Sequence, residues 1–205
     1  MKRALPLILM TVILSACAAQ KGGHKAYLER RGIAPETSIE EFAHCRGYGC
    51  KHIDQVSLSK SQWREIDRIF RYTSKTPKAE RAKIAKAIGV FETTVGDITG
   101  THVDQYGTFI KLGTYQQDCV DESTNTTIYL DMLESKGFLK HHGVSSPAVR
   151  LPIINSGRWP HQAATIIENE TSARFVVDSW FHNNGAPAEI VPLKTWKSGW
   201  KPEKN

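Results

Sequence analysis

Tyr115-Gln116-Gln117-Asp118-Cys119-Val120-Asp121-Glu122, with the run that follows to Lys136, decides how the chain is read. Asp118 is a good helix N-cap, because its side chain accepts from the unpaired N–H groups of a first turn. Asp121 and Glu122 stand where carboxylates suit the positive end of a helix dipole. Val120, Thr124, Ile128 and Met132 recur every four residues, so the spacing predicts one buried stripe. Gly137 supplies a left-handed stop. Cys119 then lies in the first turn of a helix packed into a core. A helix N-terminus favours the thiolate, which is the nucleophilic form of cysteine. The competing reading is a small buried cysteine that only fills space.

The chain has 205 residues, 40% hydrophobic and 23% charged, an ordinary globular composition with enough length for one real core. Its net charge of +6 falls to +4 once Lys2 and Arg3 leave with a leader, which is mild. The basic residues are scattered and do not alternate with aromatics, so no nucleic-acid partner is expected.

Met1-Lys2-Arg3 is positive, and Ala4 to Leu14 is apolar but short for a membrane span. Leu14-Ser15-Ala16-Cys17 resembles a bacterial lipobox. That resemblance implies a lipoprotein signal peptide over 1–16, cleavage, and lipidation of Cys17. The alternative is an ordinary signal peptide cut near Ala16-Cys17-Ala18-Ala19. Ala18 is not the Asp of inner-membrane retention, so the resemblance favours the outer membrane, with the protein facing the periplasm. Several acyl chains anchor firmly where one alone is marginal. Residues 17–40 read as lipid anchor and tether with one short helical turn, because Gly22-Gly23, Gly32 and Pro35 break them up and large apolar residues are few. Residues 41–205 form the single domain.

Cys45 and Cys50 flank Gly47 and Gly49, and in an oxidising compartment a small-loop disulfide is expected. Haem attachment would need Cys-x-x-Cys-His, and Lys51 separates Cys50 from His52. Zinc through His44, Cys45, Cys50 and His52 is chemically possible, but exported proteins seldom keep such thiols reduced, so no metal or other cofactor is expected. Gln55 to Leu58 suggests a short strand. Ser59-x-x-Gln62 resembles a capping box, with Trp63, Ile66, Ile69 and Phe70 on one face of a helix to about Tyr72. Pro77 opens a longer helix carrying Ile84, Ile88, Phe91 and Val95, which ends between Gly96 and Gly100. Thr101 to Thr114 reads as a loop, and His141-His142-Gly143 as a turn with surface histidines. Pro152 marks Ala148 to Ile154 as an edge strand. His161 to Glu168 and Arg174 to Phe181 form two further strands around an Asn169-Glu170 turn. Trp196 and Trp200 are expected to pack back onto the body. The fold class is α+β: N-terminal helices, then an antiparallel sheet packed on the Cys119 helix.

If Glu168 pairs with Thr171, His161 faces Asp178 across the hairpin, close enough for a carboxylate to hold an imidazole. A one-residue slip would separate them onto opposite faces. Asp178 lies in Phe175-Val176-Val177-Asp178-Ser179-Trp180-Phe181, where a buried carboxylate needs a partner. The alternative is that His161 merely begins a strand and Asp178 is an ordinary charge.

A cysteine at a helix start within Asp118-Cys119-Val120-Asp121, a strand opened by His161 and Asp178 on the next strand resemble the transglutaminase-like superfamily of papain-like cysteine enzymes. The resemblance covers roughly Tyr115 to Phe181. It implies Cys119 as nucleophile, His161 as general base and acid, and Asp178 as the group orienting His161. Its members include peptidases, amidases, deamidases and transglutaminases. The chain departs from the family pattern before the cysteine, where Tyr115-Gln116-Gln117 replaces the usual Gly or Trp signals, and after His161, which lacks the common Ala-Trp. An oxyanion hole would use the Cys119 N–H, with Gln116 or Gln117 as side-chain donors. With Cys17 lipidated and Cys45 paired to Cys50, Cys119 is left as the unpaired thiol of an exported protein. The expected function is a membrane-anchored thiol hydrolase acting on amide bonds of a protein or peptide in the cell envelope. The alternative is a non-catalytic lipoprotein that binds envelope protein or peptidoglycan.

Overall fold

The computed structural model describes residues 23–34, 38–107, 113–151 and 160–203. The leader, the lipobox with Cys17, and Pro152 to Trp159 lie outside the described residues. Within them the fold is mixed α+β: five helices, a two-stranded sheet and a four-stranded sheet, both antiparallel. The elements in order are α1 (His24–Arg30), β1 (Phe42–Arg46), β2 (His52–Val56), α2 (Lys60–Phe70), α3 (Pro77–Thr99), α4 (Cys119–Ser135), β3 (His142–Arg150), β4 (His161–Glu168), β5 (Arg174–Asp178), β6 (Glu189–Pro192) and α5 (Leu193–Lys197). The larger sheet runs β3-β4-β5-β6.

The helix boundaries follow local chemistry. Ser59 and Gln62 form the expected capping box on α2, and Thr76 caps α3 with Pro77 in its first turn. Asp118 caps α4. At the other end of α4, Gly137 donates to Glu134 O and Phe138 to Leu133 O, and Gly137 has φ +71°. This paired closure needs a left-handed residue, which glycine adopts without strain.

α4 is the centre of the molecule. It packs against β1, α3, β3, β4 and β5. Val120, expected to begin a buried stripe, is only half-buried, whereas every residue from Asp121 to Leu133 is buried. The helix is enclosed on all sides, so its polar side chains must find partners within the protein. They do so: Asn125 bridges the N–H and C=O of Cys45 at 2.7 and 2.9 Å, Thr124 meets the Tyr27 hydroxyl at 2.7 Å, and Asp131 meets His24 at 2.7 Å. Around this column, Phe91 stacks on Tyr129 and meets Trp63 edge-on.

Several expectations are corrected. The tether reading fails for α1, a seven-residue helix whose His24 and Leu28 are fully enclosed against the body. Leu28 has the core to bury itself in, and His24 has the Asp131 carboxylate. The disulfide segment is a hairpin, β1 paired to β2, with the second strand starting at His52 rather than Gln55. His142 is buried and opens β3, because Glu80 of α3 accepts from its Nδ1 at 2.9 Å and from the N–H groups of residues 140–142. The β4–β5 connection spans five residues, 169–173, with Glu168 N–H donating to Ala173 O and Ser172 at φ +58°.

Candidate active site

Cys119 is the first residue of α4. The Asp118 carboxylate accepts from Val120 N–H at 3.0 Å and Asp121 N–H at 2.9 Å, and Asp121 returns a bond to Asp118 N–H at 3.2 Å. A second element grips the same two carboxylates. Gly47, Tyr48, Gly49 and Cys50 have φ of +81°, +73°, +73° and +60°, four left-handed residues in succession. That conformation points consecutive N–H groups to one side. Tyr48 and Cys50 donate to Asp121 at 2.7 and 2.5 Å, and Gly49 donates to Asp118 at 3.2 Å. Left-handed backbone is costly at Tyr48 and Cys50, which carry Cβ atoms. The Cys45–Cys50 disulfide closes the loop and holds it there. The same disulfide takes both sulfurs that a zinc site would need. His44 is engaged by Tyr129 and Thr101 hydroxyls, and burial pushes its imidazole down to about 4.

His161 opens β4 and is 2% exposed. Its Nε2 lies 2.8 Å from Asp178 Oδ2, and its buried Nδ1 has no hydrogen-bond partner among the described residues. The expected register is off by two: Ala164 pairs with Val177, so Asp178 lies diagonal to His161 rather than opposite. Side chains repeat every two residues, so a two-residue shift keeps both groups on one face. Trp196 Nε1 donates to the same Asp178 oxygen at 2.8 Å. The rings of Trp180, Phe181 and Trp196 surround the imidazole at 4.6, 5.3 and 5.5 Å. Exclusion of water by these rings strengthens the hydrogen bond between His161 and Asp178.

The helix does not pack on the sheet face that carries this pair. Ala164, Ile166 and Val177 face α4, whereas Ala163 and Val176 pack with Trp196 on the opposite side, with His161 and Asp178 in phase with them. Cys119 lies near the end of the sheet instead, where it feels the backbone N–H of Gln162, next to His161 on β4, and the charge of Asp178. The β4–β5 register stops at Ala164–Val177, and beyond it the N–H of Gln162 stabilises the Cys119 thiolate. The thiol is nevertheless pushed up to about 11, first by burial and then by the charges of Asp118 and Asp178, with the N–H groups of Gln162 and of Cys119 itself opposing. The N–H groups of the helix start favour the thiolate as expected, but burial is the larger effect on Cys119.

Gln116 and Gln117 are placed as braces. The Gln116 amide donates to Val103 O at 2.9 Å and accepts from Gln105 N–H at 3.1 Å, and the Gln117 amide donates to Cys45 O at 3.1 Å. They fasten the segment after α3 and strand β1 to the entrance of α4.

The aromatic enclosure escaped the sequence reading. Trp180 had a local signal, standing two residues after Asp178 and so on the same face. Trp196 packs back onto the body as expected and is fully buried, but nothing local placed it against His161, since the turn bringing α5 under the sheet is a tertiary event. Beside the enclosure, Tyr106, Trp180, Phe181, His182 and Lys201 line a cleft of about 490 Å³. No helix among the described residues is long and apolar enough to cross a membrane. No family model matches the sequence, and no curated protein or solved structure matches it.

Proposed function

We propose that the protein is a thiol hydrolase of the transglutaminase-like, papain-like type, acting on amide bonds through Cys119, His161 and Asp178. The observation that carries this reading is the state of His161: held at Nε2 by Asp178, enclosed by aromatic rings, and buried at Nδ1 without a partner. A buried ring nitrogen left unpaired costs free energy unless it has a task. The task proposed for it is to serve the Cys119 thiol. His161 Nδ1 takes the proton of Cys119, forming an ion pair that avoids a lone buried thiolate. The thiolate attacks the amide carbon, and the oxyanion accepts from the Cys119 N–H. His161 returns its proton to the departing amine, leaving a thioester. Water, deprotonated by His161, releases the acid and restores the thiol. The adjoining cleft is where substrate would lie. The lipobox-like Leu14 to Cys17 supports attachment by lipid to the outer membrane, facing the periplasm and its proteins or peptides. An acyl mass on Cys17 in purified envelope protein tests the anchor, and its absence sinks it.

One observation favours the alternative, a lipoprotein that binds envelope protein or peptidoglycan without catalysis: a thiol at about 11 is inert at neutral pH on its own. Iodoacetamide decides between them. If His161 takes the proton, wild-type Cys119 alkylates well below pH 8. His161→Ala then moves the profile up toward the high-pH limb, and Asp178→Asn moves it the same way. Their double variant should look little worse than His161→Ala, because members of one unit are not additive. His141→Ala, whose ring is bound to Ser74 O, is the control. A wild-type thiol that alkylates only at high pH, unmoved by His161→Ala, establishes the non-catalytic reading.

A further inference from the structure

We infer that Glu122 is a positioning residue for the His161–Asp178 pair, acting through Ser179, with Glu92 as its partner. The catalytic meaning of this role rests on the function proposed above; the positioning itself does not. Ser179 stands between Asp178, which holds the imidazole, and Trp180, which stacks on it. Its buried hydroxyl donates to Glu122 Oε2 at 2.6 Å and lies 3.3 Å from the Thr126 hydroxyl. Glu122 and Thr126 belong to α4, whose first residue is Cys119. One hydroxyl therefore ties the strand end that orients the imidazole to the helix that carries the thiol.

A carboxyl group suits this place because it has two jobs. Glu92 of α3 is buried against Glu122, and one of its oxygens accepts from Gly185 N–H at 3.1 Å. Burial is the first cause raising both acids, Glu92 to about 7 and Glu122 well above its usual range. Each also feels the charge of Asp104, and Glu122 that of Asp121; Tyr129 of α4 is itself raised by both glutamates. Two carboxyls in contact in low dielectric hold a proton between them. In this arrangement the protonated Glu122 donates its O–H to Glu92, and its other oxygen accepts from the Ser179 hydroxyl. Glu92 in turn holds Gly185, so the segment from Asp178 to Gly185 is fastened near both ends, to α4 and to α3.

Three substitutions test this. Glu122→Gln keeps an acceptor for Ser179 and a donor for Glu92. Glu122→Met keeps the length and loses both. Ser179→Ala removes only the hydroxyl. The readouts are the iodoacetamide rate of Cys119 at pH 7 and the downfield NMR signal of the His161 Nε2 proton. Glu122→Gln is expected to stay within about twofold of wild type on the first and unshifted on the second. Glu122→Met and Ser179→Ala are expected to slow alkylation by roughly ten- to a hundredfold, the scale of a misplaced catalytic group, and to shift or broaden the proton signal. If Glu122→Met does not fold, Ser179→Ala alone decides. Ser179→Ala matching wild type in the proton signal, or Glu122→Gln failing as Glu122→Met does, overturns the assignment. A proton signal that moves in Ser179→Ala while wild-type Cys119 proves unreactive leaves the positioning role standing and removes only the hydrolase reading.

Discussion

Asp178 carries more than its neighbours in sequence suggest. One of its oxygens accepts from both His161 and Trp196, at 2.8 Å each. The two donors offset the cost of burying the charge and aim it at the imidazole. Trp196→Phe would keep most of the ring and delete the second donor. We expect a stability loss of about 1–2 kcal/mol, in line with one hydrogen bond to a charged group. Alkylation of Cys119 should slow less than in Asp178→Asn, because Asp178 still holds the ring. Urea melts and alkylation rates would check this; a Trp196→Phe variant slower than Asp178→Asn would mean that the indole acts on His161 by stacking rather than through Asp178.

At the scale of elements, the long helices were legible because their signals are local. The Ser59 box, Pro77, the Ile84-Ile88-Phe91-Val95 face and Gly137 each act within a turn or two. The His161–Asp178 contact was legible through the period of the strand, which survived a register error of two. What stayed hidden was long-range. The stripe on α4 could not reveal that helices and strands enclose its polar side as well, because Asn125, Thr124 and Asp131 look solvent-facing until β1 and α1 arrive. His142 looked like a surface histidine until Glu80 of α3 was in place. The 183–186 loop is a further case: it presses on α3 so closely that a Cβ on Gly89 would lie 2.7 Å from Gly185 O. Backbone cannot yield as a flexible side chain does, so Gly89→Ala should cost about 1–3 kcal/mol despite its better helix propensity. Thermal or urea melting would measure it, and an unchanged midpoint would show that the loop gives way.

For the whole molecule, the buried acids set the pH response. Glu92 and Asp104 are raised to about 7 and Asp121 to about 6, burial being the first cause in each. A carboxyl raised on folding keeps a proton that the unfolded chain has already released. Between the ordinary carboxylate range and about pH 7 the native state therefore binds more protons, and stability falls as pH rises. Glu80 works in the opposite direction, lowered by its bonds to His142 and to the Lys140 and His141 N–H groups despite burial, and its contribution is lost only as the solution becomes acidic. The expected optimum lies near pH 5, and Glu92→Gln should flatten the decline above it. Urea midpoints from pH 4 to 8 would test this; a midpoint that rises from pH 5 to 7 would sink it.

The disulfide loop has a consequence in time as well as in space. Cys45 and Cys50 lie close together and well ahead of Cys119 in the chain. Export from the N-terminus, which the proposed anchoring implies, would let Cys45 and Cys50 meet before Cys119 has emerged. Once α4 is enclosed, Cys119 is the unpaired cysteine among the described residues. A chain released from denaturant fully reduced has no such order, and Cys119 competes with Cys45 and Cys50 from the start. Direction of delivery would thus protect the thiol on which the proposed function depends.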